Sequence, residues 1–245
     1  MDNNQDYEDF ISTVSHELRT PLTSIRGFSQ TMLSSWDKLD DDSKKKFIKI
    51  IEEQSQRLIN LVENMLAVTK LNSKNIFVFN QTNIVPLIEQ VIVIVKNKYP
   101  AHSFNFIYPK NLPEIFVDKD KFQQIMTNLI ENSAKYSPDS SKTNIEAFVS
   151  EDKVVIQVSN IGIGIDKQDY EKIFTKFSRI DNPLTRKVHG SGLGLFITKN
   201  LVEKMDGTIS VQSENIENSQ YSKITFTVIM PVKNIEEQTR IKCSQ

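Results

Sequence analysis

The apolar positions of the chain change period once. From Phe10, Ile11, Val14, Leu18, Leu22 and Ile25 on to Met32 they recur mainly at three- and four-residue intervals. That spacing predicts an amphipathic helix from about Asp6 to Trp36. Pro21 falls inside it, where a missing backbone N–H predicts a kink. A polar link from Asp37 to Ser43 follows, and Asp41, Asp42 and Ser43 are favoured helix N-caps. Phe47, Ile51, Leu58, Leu61, Met65 and Val68, with Gln54 filling one gap, then predict a second helix from about Lys44 to Leu71, with a period near seven. Two long helices on a short link make a hairpin, which cannot enclose a core alone. Pairing two hairpins gives a four-helix bundle, so a symmetric homodimer is expected.

After the polar break Asn72–Asn75, where a hinge would sit, strands alternate with helices. Strands are expected at Ile76–Phe79, Ser103–Tyr108, Glu114–Val117, Asn144–Ser150, Val154–Ser159, Thr208–Ser213 and Lys223–Met230. Helices are expected at Ile84–Tyr99, Asp118–Tyr136 and Leu193–Met205. The pattern reads as a mixed sheet covered by helices on one face. The fold class is therefore α+β multidomain: a helical domain over 1–72, an α/β sandwich over 76–233, and a polar, disordered tail over 234–245.

Composition narrows the setting. Apolar content of 38% and charged content of 25% suit a globular chain. Lys+Arg 30 against Asp+Glu 31, with no basic run, argues against a nucleic-acid partner. The single cysteine, Cys243, precludes an internal disulfide and fits a reducing compartment. The longest apolar stretch, Ile84 to Val95, contains Pro86, Glu89 and Gln90 and is too short to span a bilayer. The acidic opening Met1-Asp2-Asn3-Asn4 is not a signal peptide and reads as the start of a fragment. A cytoplasmic location is expected, either alone or as the cytoplasmic part of a membrane-bound sensor.

Candidate chemistry begins with His16. At about 100° per residue it lies roughly 170° from the centre of the apolar stripe, so it faces solvent. Thr20 shares its face one turn on, and Glu17 sits about 100° around. Asn128 and Asn132 stand one turn apart with Lys135 and Tyr136 just beyond. Two amides suit a hard cation or its waters, and a lysine suits phosphate; two surface asparagines at chance spacing are the plainer reading. Asn160-Ile161-Gly162-Ile163-Gly164-Ile165 follows a strand, and Gly-x-Gly admits a close ligand. Phe174 and Phe177 are spaced i, i+3, as core aromatics often are. Gly190-Ser191-Gly192-Leu193-Gly194-Leu195 runs into a helix, where backbone N–H groups suit phosphate. The chain has seven glycines and five lie in these two loops, a concentration that marks both as ligand-binding.

Together, His16-Glu17-Leu18-Arg19-Thr20-Pro21-Leu22, Asn128-x-x-x-Asn132-x-x-Lys135-Tyr136, Gly162-x-Gly164, Phe174-x-x-Phe177 and Gly190-x-Gly192-x-Gly194, in this order, resemble the catalytic core of a sensor histidine kinase. The resemblance covers about Asp9 to Pro231. It implies a dimerisation and phosphoacceptor hairpin, then an ATP-binding domain of the gyrase, heat-shock-90 and MutL type. It implies that His16 accepts the γ-phosphoryl group of ATP, with Glu17 as base. Glu17-x-x-Thr20 matches the family's phosphatase pattern. Asn128 and Asn132 would hold Mg²⁺, Lys135 would meet phosphate, and Tyr136 would border the nucleotide. Gly162, Gly164 and Ile165 would pack against adenine. Phe174 and Phe177 would anchor a mobile lid over about Ser178–His189, with Arg179 a phosphate contact. Gly190, Gly192, Leu193 and Gly194 would cradle the phosphates. The implied partner is a response-regulator receiver domain with a phosphorylatable aspartate. Relatives that hydrolyse ATP with water carry a glutamate where this chain has Asn128, which favours a kinase over an ATPase.

One position departs from the family pattern. The first glycine loop should open with an aspartate that accepts from the adenine amino group, and here it is Asn160. Charged hydrogen bonds contribute about 1.5–3 kcal/mol against about 1 for neutral ones. ATP is therefore expected to bind roughly tenfold more weakly, and an amide that flips would blur adenine against guanine. The competing readings are a phosphatase or scaffold with an impaired ATP site, and an ATP-hydrolysing clamp.

Overall fold

A computed structural model describes residues 2–71, 77–178 and 190–232. The chain divides into two compact units, residues 1–74 and 75–245. The first is a helical hairpin of α1 (Asp2–Ser35) and α2 (Asp41–Leu71), linked by a short 3-10 turn over Trp36–Lys38. α1 continues through Pro21, which is buried. Because Pro21 takes the inward position, Leu22, expected on the apolar stripe, is 52% exposed. The α2 stripe behaves as its spacing predicts. Leu61 and Val68 are buried, and Phe47, Ile51, Gln54, Leu58 and Met65 are half-buried. Phe28 of α1 meets Phe47 of α2 with ring centroids 5.1 Å apart.

α2 starts three residues earlier than expected. Its cap is Asp40 rather than Asp41, Asp42 or Ser43: Asp40 Oδ1 accepts from the Ser43 amide at 2.8 Å and Oδ2 from the Ser43 hydroxyl at 2.7 Å. This is the side-chain satisfaction that an N-terminal turn requires.

The second unit contains β1 (Phe79–Thr82), α3 (Val85–Lys98), β2 (Ser103–Ile107), β3 (Ile115–Asp118), α4 (Lys119–Lys135), β4 (Lys142–Ser150), β5 (Lys153–Gly162), α5 (Gly194–Lys204), β6 (Thr208–Asn215) and β7 (Ser222–Pro231). A five-stranded mixed sheet has the order β2-β4-β5-β7-β6, with only β2–β4 parallel. β1 and β3 form a separate antiparallel pair. β1 lies three residues later than the expected Ile76–Phe79. Asp118 explains the shift, because its carboxylate takes the Val78 amide at 2.9 Å and the ladder begins only at Phe79 opposite Asp118.

α4 is the central helix, packed against α3, α5, β4 and β5. Phe122, Ile125, Met126, Leu129 and Ile130 on its inner face are fully buried. Opposite them stand Ile145 of β4 and Val154, Ile156 and Val158 of β5. Strand period carries that inward face on to Asn160 and Gly162. β5 thus extends past the expected Ser159, so Asn160 and Gly162 are strand residues and not part of a loop.

Candidate active site

His16 is exposed on α1, as its angular position predicts. Thr20 is also exposed, and its hydroxyl donates to the His16 carbonyl at 3.3 Å. Glu17 is turned partly inward. Its Oε2 pairs at 3.1 Å with Arg57 of α2, which ties the two helices beside the histidine. Arg57 was not legible as a site residue, because forty positions separate it from Glu17.

In the second unit, α4 carries two faces. Its inner face holds the core. Asn128, Asn132, Lys135 and Tyr136 are half-buried at the flank of that face and its last turn. Asn128 Nδ2 donates at 2.8 Å to the hydroxyl of Thr198, a buried residue on α5. That leaves Oδ1 as an acceptor for a ligand. A Cβ on Gly194, the first residue of α5, would collide with Asn128 Oδ1, so glycine there opens the space in front of it. Asn132 lies one turn further on. Two amide oxygens on one helix flank fit a hard cation or its hydration shell. Among the described residues no cluster of His, Cys, Asp and Glu offers a metal site.

The glycine-rich segment reaches α5 through close backbone contacts. Gly192 has φ +67 and packs on the backbone of Phe177, 2.6 Å from where its Cβ would sit. Phe177 itself has φ 59, a backbone region costly for an aromatic residue. Phe174 is buried and meets Phe226 edge-on at 6.4 Å. Gly190 runs beside Lys135 Nζ and the Tyr136 hydroxyl, 3.0 and 3.5 Å from its would-be Cβ. Lys135 Nζ in turn lies 5.4 Å from the Tyr136 ring centre. The side chain of Leu193 is fully buried, which leaves its backbone as the part that can face a ligand. Arg179 and most of the expected lid lie outside the described residues, as do the hinge Asn72–Asn75 and the tail.

The third wall is β5. Gly162 approaches the Tyr136 carbonyl so closely that a Cβ would stand 2.5 Å from it. Ile165 donates its amide to Ser213 at 3.0 Å, and Gly164 runs beside Ser222. Asn160 is only 4% exposed, and its Nδ2 donates to the Ser137 hydroxyl at 2.9 Å. The α4 flank, the glycine segment and the end of β5 therefore converge around Tyr136.

Two family models match in chain order. Residues 6–74 match the His Kinase A (phospho-acceptor) domain, and residues 117–234 match the Histidine kinase-, DNA gyrase B-, and HSP90-like ATPase. The chain is a histidine kinase core. Sensor histidine kinase WalK of Bacillus subtilis is 33% identical over 240 residues, covering 95% of this chain and 38% of the relative. Signal transduction histidine-protein kinase ArlS of Staphylococcus haemolyticus is 33% identical over 222 residues, covering 90% and 48%. The core spans less than half the length of these curated relatives. Histidine kinase ThkA, solved in complex with response regulator protein TrrA, matches with TM-score 0.72 and 25% identity, covering 92% of this chain and 61% of that one. Acinetobacter baumannii histidine kinase AdeS shares the fold at TM-score 0.66 and 23% identity, covering 89% and 98%. Among the described residues, no helix of this kinase core is long and apolar enough to cross a membrane.

Proposed function

We propose that this chain uses ATP to phosphorylate His16 and then passes the phosphoryl group to an aspartate of a response regulator. The observation that carries this reading is the asparagine–glycine cradle of the second unit, with Asn128 Oδ1 held open by Thr198 and Gly194, in one chain with an exposed helical histidine. Residues 76–233 bind the nucleotide and residues 1–72 present the acceptor.

An imidazole nitrogen of His16 attacks the γ-phosphorus in line. The N–P bond forms as the bond to the bridging oxygen breaks, and ADP leaves with that electron pair. Glu17, held by Arg57, takes the imidazole proton. Asn128 and Asn132 would hold Mg²⁺, which would supply charge neutralisation at the phosphates. Lys135 and the backbone at Gly190, Gly192 and Gly194 position the phosphates, and Asn160 faces the adenine edge. The working form is a homodimer. Ile11, Leu22 and Leu33 of α1 and Ile59, Val62 and Leu66 of α2 are exposed, a second apolar line beside the one that pairs the helices.

Incubation with γ-labelled ATP and Mg²⁺ tests the reading. The label is expected to be acid-labile and base-stable, and absent in His16→Gln while ATP binding persists. Undiminished labelling of that variant overturns the assignment. A second activity, dephosphorylation of the regulator, is supported by Thr20, whose exposed hydroxyl lies one turn from His16. Thr20→Ala should keep the label and lengthen the lifetime of the phospho-regulator.

A further inference from the structure

The amide of Asn160 is a buried polar group on the core face of β5, following Val154, Ile156 and Val158. Which way it points decides what it reads, and its neighbours settle that. Ser137 Oγ lies 2.6 Å from the Ser133 carbonyl, which can only accept. The single hydroxyl hydrogen of Ser137 is therefore spent on Ser133, and its lone pairs face Asn160. Only the nitrogen of the amide can satisfy them, at 2.9 Å. The same nitrogen stands 2.9 Å from the would-be Cβ of Gly162, so it is confined between Ser137 and the backbone. Oδ1 is left on the other side. A carboxylate at 160 could be served only if the Ser137 hydrogen left Ser133.

We propose that Ser137 is a positioning residue that locks the Asn160 amide with its oxygen toward the nucleotide base, so that the site selects a purine with a 6-amino group over one with a 6-carbonyl. The proposal rests on the reading of this site as an ATP site. It replaces the flipping amide that residue type alone allows with a fixed acceptor. An amino group at purine position 6 donates to that oxygen. A carbonyl there sets two acceptors face to face, and an acceptor left unpaired in a dry site is penalised more than a neutral hydrogen bond contributes.

The test titrates ATP and inosine triphosphate, which carries a carbonyl in place of the amino group, by calorimetry with Mg²⁺ on the full chain. Wild type should bind inosine triphosphate at least about tenfold more weakly than ATP. Ser137→Ala should lower that ratio about five- to tenfold by freeing the amide to turn. Ser137→Thr, which keeps the hydroxyl, should restore it. In an Asn160→Asp background both side-chain oxygens accept, so adding Ser137→Ala should leave the ratio unmoved. An unchanged ratio in Ser137→Ala, or an equal change in both backgrounds, overturns the proposal. If Ser137→Ala fails to fold, wild type alone decides: equal binding of the two nucleotides overturns the locked amide while nucleotide binding stands. Binding of neither nucleotide overturns the ATP reading and the proposal together.

Discussion

The hairpin and the α/β unit present their chemistry in opposite ways. The hairpin offers side chains on an open helix face: His16 and Thr20 are exposed, and large apolar residues are left uncovered along both helices. The α/β unit offers a shape. Its core is closed, with Phe122, Ile125, Met126, Leu129 and Ile130 fully buried on one helix. Its site is made where glycines let backbone approach Tyr136, Phe177 and Asn128. On the proposed function, an acceptor that meets two different partners is best left accessible, whereas a nucleotide pocket has to be built before its ligand arrives. The difference also says where each unit is vulnerable. The hairpin depends on what covers it, and the α/β unit depends on what fills it.

The largest expected effect breaks the hairpin's side of this contrast. Burying a leucine or isoleucine contributes about 1.5–3 kcal/mol, and a two-fold dimer counts each position twice. Ile59→Glu with Leu66→Glu should therefore weaken dimerisation by well over about 3 kcal/mol, seen as a monomer in sedimentation. ATP affinity should be unchanged in the same protein. A stable dimer would show that those lines face solvent in the working form.

A smaller effect sharpens the contrast through two aspartate caps. Asp118 accepts from the amides of Asp120 and Lys121, both at 3.1 Å, and also from Val78 at 2.9 Å, in a buried position. Asp40 accepts from the amide and hydroxyl of Ser43, at the surface. Asp118→Ala should cost the α/β unit about 2 kcal/mol, and Asp40→Ala should cost the hairpin less. Chemical denaturation with a probe in each unit separates the two.

The smallest effect is a pH dependence confined to the α/β unit. His102 is buried, and burial lowers its pKa from the ordinary 6.5. Ser133 spends its hydrogen on the Ile130 carbonyl at 2.7 Å, so Thr143 donates to Ser133 at 2.8 Å and His102 Nε2–H donates to Thr143 at 2.8 Å. The folded state thus prefers the neutral ring, while the unfolded chain protonates at the ordinary value. Stability is complete above about pH 6.5 and falls as the pH drops below it towards the lowered folded value. His102→Gln should flatten the slope of denaturation midpoint against pH over that window.

Much of this was legible in the chain. The α2 stripe, the inner face of α4 and the exposure of His16 follow from helical period alone. The His16 and Asn128 motifs put their candidate residues on the helices where they stand, whereas the Asn160–Gly164 motif was expected in a loop and begins inside β5. What was not legible came from partners distant in sequence and from polar residues in apolar positions. Thr198 lies seventy residues from Asn128, and a threonine among Ile197 and Leu201 reads as core until α4 and α5 are seen together. Asn160-Ile161-Gly162 reads as a loop because asparagine and glycine disfavour strands, yet pairing with Thr143 and Ile224 on both sides holds Asn160 in the sheet. Asp40 was overlooked beside three other good caps, which only the ladder of backbone hydrogen bonds ranks.

The exposed apolar line of the hairpin also sets a pitch. Ile11, Leu22 and Leu33 are each eleven residues apart, so on a straight helix the line advances about 20° per step. On α2 the exposed Ile48 and Ile59 are also eleven apart, while Ile59 and Leu66 are seven apart. Spacings of eleven favour a right-handed coil and the single seven a left-handed one. The proposed dimer would therefore meet no constant hand along these lines, which differ from the seam of a regular left-handed coiled coil.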